Sequence, residues 1–263
     1  MIETNDVAPA AAPILSPAEA ARMGGRIAWL AGLAVVAIPL HFVWRLVRAR
    51  SPWPQRFLGA AARACGVRVT TVGTPVRHDV VFVANHVSWL DILALGGTTW
   101  LRFVAQDAIE EWPLIGWLAD LNATIYVSRT DRAGIEGQVE LIRGAVAGAQ
   151  PVAIFPEGTT TDGRDLLPFK PALFAALVPP PRPLTVQPVA LEFDDRGAEL
   201  AWIGTEGAGP NARRVLGNPG TVALTIRFLE PFPTAGLDRK AIAGTARARI
   251  AAALTAHAGH PVA

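Results

Sequence analysis

Asp79-Val80-Val81-Phe82-Val83-Ala84-Asn85-His86-Val87-Ser88-Trp89-Leu90-Asp91 is the stretch that decides the fold of this 263-residue chain. Val80–Ala84 is a short, unbroken apolar run rich in β-branched residues. That pattern suits a strand buried on both faces, as in a parallel sheet. Asn85-His86 then falls in a turn, and Ser88 is a plausible N-cap for a helix through Trp89–Leu95. Strand, turn and helix in that order are the opening of an α/β unit.

The chain beyond residue 66 repeats this alternation. Strand-like runs occur at Val67–Val72, Val80–Ala84, Leu101–Ala105, Thr124–Val127, Val152–Phe155, Leu184–Leu191, Leu200–Ile203 and Val222–Leu229. Helical stretches lie between several of them, notably Trp89–Leu95, Ile135–Ala149 and Phe169–Leu177, and Asp238–Ala256 closes the chain. The expected class is α/β: a mixed, mostly parallel sheet flanked by helices. There is no internal repeat, and the Pro179-Pro180-Pro181 run reads as a loop.

Upstream, the composition changes. Residues 1–21 are rich in Ala and Pro and read as a disordered tail. Ile27–Trp44 carries no Asp, Glu, Lys or Arg, and Arg26 and Arg45 flank it. Eighteen helical residues span roughly 27 Å, close to one hydrocarbon core. Trp29 and Trp44 sit near the ends, where aromatic anchors belong, whereas Pro39 and His41 favour a shallow or re-entrant insertion over a straight span. Pro52–Gly66 follows as an amphipathic helix with Trp53, Phe57 and Leu58 on its apolar face. Residues 22–66 are therefore expected to associate with a membrane, and 67–263 to form the catalytic domain.

The charge pattern agrees. Only 17% of residues are charged, below the usual quarter. Arg45, Arg48, Arg50, Arg56, Arg63, Arg68 and Arg77 lie in a stretch to His78 without Asp or Glu. Such a run suits the anionic cytoplasmic leaflet of a cell membrane, at about 1 kcal/mol per arginine near the surface. No partner such as nucleic acid is implied. The single cysteine, Cys65, excludes an internal disulfide and a cysteine metal cluster.

His86 and Asp91 are the first candidates for chemistry. On one continuous helix they would diverge by about 140°. His86 therefore precedes the helix, and Asp91 sits one turn in and can reach back. A carboxylate on one ring nitrogen fixes the tautomer and leaves the other as a base. There is no G-x-S-x-G elbow and no second histidine at metal-ligand spacing, so the base is left to activate a substrate hydroxyl. Pro151–Phe155 is a second buried strand, followed by Pro156-Glu157-Gly158-Thr159. Glu157 there could bond a hydroxyl or hold a cation, and Gly158 permits close approach. Loops beyond strand ends are where α/β folds bind substrates.

In this order the motifs resemble those of the glycerolipid acyltransferases, the family of the bacterial 1-acyl-glycerol-3-phosphate acyltransferases. The resemblance runs from about Val67 to Pro231. Asn85-His86-Val87-Ser88-Trp89-Leu90-Asp91 is similar to the N-H-x4-D block. Gly116 through Tyr126-Val127-Ser128-Arg129 is similar to the second block, Phe155-Pro156-Glu157-Gly158-Thr159 to the third, and Val186-Gln187-Pro188-Val189-Ala190 to the fourth. The resemblance implies His86 and Asp91 as catalytic residues. It also implies acceptor binding by Arg129, Glu157, Gly158, Thr159 and Lys170, and no bound cofactor or metal. The acyl donor would be acyl-coenzyme A or acyl-acyl carrier protein, and the acceptor a membrane lysolipid. Backbone N–H groups near the helix start would serve the oxyanion.

Two positions depart from the usual pattern. Gln106 stands where many relatives carry lysine, and Thr160 where many carry arginine. The Thr159-Thr160-Thr161-Asp162-Gly163 version looks more like relatives that acylate lyso-ornithine lipid. Family frequency points first to 1-acyl-glycerol-3-phosphate giving phosphatidic acid, with lyso-ornithine lipid as the alternative acceptor. The readings from other classes are an ester or thioester hydrolase and a non-catalytic membrane-bound binding protein.

Overall fold

The computed structural model describes residues 15–128, 135–148 and 150–258. Two helices lead the chain, α1 (Pro17–Leu46) and α2 (Trp53–Ala64), and β1 (Val67–Val72) follows. Next come β2 (Val80–Ala84), α3 (Leu90–Thr98), β3 (Arg102–Gln106), α4 (Pro113–Leu121) and β4 (Ile125–Val127). After α5 (Ile135–Val146) and β5 (Val152–Ile154), a 3-10 turn spans Pro171–Leu177 and leads into β6 (Thr185–Phe193). The chain closes with α6 (Gly197–Leu200), α7 (Ala208–Gly217), β7 (Val222–Phe228), β8 (Phe232–Pro233) and α8 (Arg239–Ala258).

The strands form one sheet in the order β1-β7-β6-β2-β5-β3-β4, with β8 paired to β6. β6 pairs antiparallel with β7 and β8; every other pairing is parallel. This is the mixed, mostly parallel sheet that the sequence predicts. All five residues of β2 are buried because the strand lies mid-sheet with helices on both faces.

Alternation along the strands divides the core in two. Val81, Val83, Val152 and Ile154 pack with Ile142 of α5, Phe174 and Leu177 of the 3-10 turn, and Ile242 of α8. Val80, Phe82, Ala84 and Ala153 face the other way, onto Ala62 of α2 and Leu90, Ala94 and Leu95 of α3. α2 and α3 touch backbone to backbone: a Cβ on Gly97 would collide with Gly59.

This topology positions the site. From β2 the chain crosses by α3 towards β3; from β5 it crosses by the 3-10 turn, on the opposite face, towards β6. The neighbouring strands β2 and β5 thus send their connections apart, which opens a crevice at their carboxyl ends. His86 follows β2 and Glu157 follows β5.

Some expectations change. α1 begins at Pro17, inside the stretch assigned to the tail, because Ser16 and Glu19 form a reciprocal capping box. Pro39 lies within α1 without ending it. Leu200–Ile203 is not a strand. Its backbone is used by other groups: Trp202 N–H donates to Val87 O at 3.0 Å, and Arg214 donates to Ala201 O at 2.8 Å. Phe169–Leu177 forms a 3-10 turn rather than an α-helix. α4 and α7 are additional helices.

α1 is unevenly embedded. Near its start, Arg22 donates to Gly217 O at 2.6 Å and Arg26 to Val215 O at 2.8 Å, so two arginines cap the carboxyl end of α7. Farther on, only 11% of its most apolar 18-residue window is buried, and Trp29, Val35, Val36, Phe42 and Val43 face outwards.

Candidate active site

His86 leaves the end of β2 with its ring stacked on Phe155, centroids 4.1 Å apart and planes 17° apart. Phe155 stacks in turn on Phe103, with centroids 6.0 Å apart. The aromatic pile fixes the ring plane. The sequence folds this way because Phe155 and Phe103 end β5 and open β3, strands paired beside β2.

Asp91 fixes the tautomer. It is fully buried in the first turn of α3, and its Oδ2 lies 2.7 Å from His86 Nδ1. The same oxygen accepts the Val87 N–H at 2.7 Å and the Ser88 N–H at 3.0 Å. The helix start is thus satisfied from within by Asp91, whereas Ser88 Oγ only receives the Leu90 N–H at 3.4 Å. A carboxylate accepts only, so neutral His86 carries its proton on Nδ1. Nε2 keeps its lone pair, and the side chain is 18% exposed. The arrangement leaves one ring nitrogen open at the carboxyl end of β2.

Glu157 holds this loop rather than reaching into the crevice. Its Oε1 accepts the His86 N–H at 2.8 Å and its Oε2 accepts the Leu167 N–H at 2.9 Å. Burial pushes its carboxyl up to about 7, against the two backbone N–H bonds and His86, which pull it down. With both oxygens engaged, Glu157 ties the loops after β2 and β5 together. The clasp continues outwards, where Arg247 of α8 donates to Leu166 O at 2.6 Å and to Leu167 O at 3.2 Å.

Two more contacts seat the loop. Thr161 N–H donates to His86 O at 2.9 Å, and Trp202 N–H to Val87 O. Thr160, at the position of the missing arginine, donates its hydroxyl to Trp202 O. Gly158 has φ +70°, and a Cβ there would collide with Lys170 Nζ. Lys170 is exposed and its ammonium group lies over that turn. Thr159 is exposed beside it, and Gln106 is half-buried at the end of β3. Arg129 lies outside the described residues.

The structure therefore brings His86 and Asp91 together, with Glu157 behind them and Gly158, Thr159 and Lys170 alongside. The first backbone N–H groups of the turn do not point to an oxyanion, because Glu157 takes His86 N–H and Asp91 takes those of Val87 and Ser88. Cys65 is buried and its thiol is pushed up to about 12 by that burial, which leaves it inert as a nucleophile. Sequence reasoning missed Trp202 and Arg247. Both act through backbone carbonyls or amides from distant segments, and no local pattern marks that.

Known proteins bear on this geometry. The family model described as Acyltransferase matches residues 66–192. The lyso-ornithine lipid O-acyltransferase of Brucella abortus (strain 2308) is 32% identical over 250 residues, which cover 87% of this chain and 92% of that protein. The 1-acyl-sn-glycerol-3-phosphate acyltransferase of Neisseria gonorrhoeae is 35% identical over 118 residues, or 45% of this chain and 46% of that protein. The crystal structure of the 1-acyl-sn-glycerophosphate acyltransferase PlsC from Thermotoga maritima superimposes with a TM-score of 0.64 at 20% identity, covering 90% of this chain and 97% of that one, and so shares the fold. Similarity over nearly the whole length, in sequence to one relative and in fold to the other, means that this chain belongs to the acyltransferase family that modifies membrane lysolipids.

Proposed function

We propose that the protein transfers a fatty acyl group from an acyl thioester to the free hydroxyl of lyso-ornithine lipid, with His86 as general base. The observation that carries the chemistry is the open Nε2 of a histidine whose Nδ1 is bound to a buried aspartate. The acceptor hydroxyl gives its proton to Nε2 as its oxygen attacks the thioester carbonyl. Asp91 stabilises the imidazolium that forms. The tetrahedral intermediate expels the thiolate, which takes the proton back from Nε2. The product is an ester and a free thiol of coenzyme A or acyl carrier protein, and no acyl-enzyme forms.

Two observations favour lyso-ornithine lipid. The relative named for it aligns over nearly its whole length, whereas the lysophosphatidate relative aligns over less than half. Thr160 also spends its hydroxyl on Trp202 O, so the position gives no cation for a phosphate. Lys170 supports a second reading, lysophosphatidate, because its ammonium group sits at the third motif. The catalytic domain would face the cytoplasm, where both thioester donors occur, while α1 holds it at the membrane.

Purified protein supplied with labelled acyl-coenzyme A, and with each lysolipid in parallel, tests the acceptor. The expected result is a higher kcat/KM for lyso-ornithine lipid. A preference for lysophosphatidate would replace it with the second reading, and fatty acid release without any acceptor would make the protein a hydrolase.

A further inference from the structure

α4 carries a row of apolar side chains with nothing over them among the described residues. Leu114 is 65% and Ile115 47% exposed, and Trp112 and Trp117 bracket them, also exposed. A soluble surface tolerates single exposed apolar residues, not two tryptophans, a leucine and an isoleucine within six positions. None of these side chains takes part in the chemistry above.

The fold places α4 on a definite side. In β4, Ile125 and Val127 pack with the α5 side of the core. Tyr126, between them, points the other way and donates its hydroxyl to Gly116 O at 3.1 Å and Asp120 Oδ1 at 2.9 Å, both in α4. α4 therefore lies on the face opposite α5, the face that carries α2 and α3. A right-handed β3–α4–β4 crossover gives the same side. Leu30 of α1 packs on that same side of the core, so the apolar length of α1 and the apolar row of α4 lie on one side of the sheet.

We infer that α4 is a second membrane contact, in which Trp112, Leu114, Ile115 and Trp117 enter the lipid interface on the same side as α1. Tryptophans at both ends of the row suit the headgroup level. The contact is apolar rather than electrostatic. Its charged neighbours are Asp107, Glu110, Glu111 and Asp120, and no Lys or Arg occurs between Arg102 and Arg129. The arginine-rich stretch from Arg45 to Arg77 is the opposite case. α4 thus needs neutral lipid only, and two contacts at separate points on one side of the sheet would fix the tilt of the domain on the bilayer.

Vesicles of brominated phosphatidylcholine, with and without phosphatidylglycerol, test this with the full chain. The readout is the tryptophan emission lost in Trp112→Phe/Trp117→Phe, taken as a difference from the wild type. That difference emission is expected to be quenched at least about two-fold by the brominated lipid, equally in neutral and anionic vesicles. Leu114→Gln/Ile115→Gln should relieve much of that quenching while leaving acyl transfer to detergent-dispersed acceptor intact. Unquenched difference emission would overturn the inference, as would quenching confined to anionic vesicles. Absent quenching with a dimer that becomes a monomer in Leu114→Gln/Ile115→Gln would assign the row to a second copy of the chain. The quenching is independent of acyl transfer, so a wrong acceptor and a wrong contact are told apart.

Discussion

His86 is the residue on which the proposed chemistry turns, and its surroundings are asymmetric. One nitrogen is held by a fully buried carboxylate; the other is open. His86→Ala should lower kcat by about 10²–10⁴, the usual yield of a positioned base. The fold should persist, because the ring is partly exposed and α3 is started by Asp91 without it. An unchanged kcat, with melting unchanged, would remove the base assignment. Asp91→Asn should act differently. All three bonds fall on one oxygen, so a neutral amide oxygen there accepts them more weakly, and the amide NH2 would stand at the position of Oδ1, which has no partner among the described residues; kcat and melting temperature should fall together, stability by about 2 kcal/mol. Glu157 sets a pH window. Its folded pKa, about 7, lies above its ordinary 4.5, so the unfolded chain binds fewer protons between those values. The stability this group contributes is complete below about 4.5 and is lost as pH rises through about 7. Thermal melts from pH 4.5 to 7.5 should therefore show the wild type losing stability relative to Glu157→Gln; parallel curves would mean that the burial cost is absent.

At the scale of elements, the α2–α3 contact joins the leading helices to the His86–Asp91 pair. Gly97 has backbone of Gly59 where its Cβ would be, and α3 carries Asp91. Gly97→Ala should cost about 1–3 kcal/mol by overpacking and should lower activity as α3 shifts. Equilibrium denaturation and turnover measured on one preparation check both. β2 and α3 are readable in the sequence because Val80–Ala84 is an unbroken apolar run and the turn after it is polar. α1 begins earlier than its composition suggests because Ser16-Pro17-Ala18-Glu19 is a capping box inside an Ala- and Pro-rich stretch. Leu200–Ile203 misleads for another reason. Its apolar residues serve the core, but its carbonyls and amides are claimed by Arg214, Thr160 and Val87, so no ladder remains to make. His86 and Asp91 are legible as a pair, since five positions across a turn return to one point. The clasp formed by Glu157 and Arg247 is not legible, because it joins residues 71 and 80 positions apart through backbone atoms.

The whole molecule is a sheet with two unlike faces. One carries α1, α2, α3 and α4, with the apolar side chains proposed above to meet lipid; the other carries α5 and α8. Removing residues 1–50 should abolish tight membrane association and also destabilise the domain, since Arg22 and Arg26 cap α7. Sedimentation with vesicles and a thermal melt of the same protein separate the two effects; unchanged sedimentation would move the anchor into the remaining domain. The site lies between the faces, at the carboxyl edge of β2 and β5; under the proposed function, a membrane-held acceptor and a water-borne donor would approach it from different sides. α8 adds a matter of timing. Arg247 grips the carbonyls of Leu166 and Leu167; the Leu167 N–H in turn holds Glu157, which holds the His86 N–H. During synthesis α1 leaves the ribosome before α8, while that grip is still unmade. A ribosome-bound chain that has not released α8 carries both members of the dyad on an unfastened loop. Fastening of that loop therefore waits until α8 has left the ribosome and folded back onto it, so the site is set late although both of its side chains are made early.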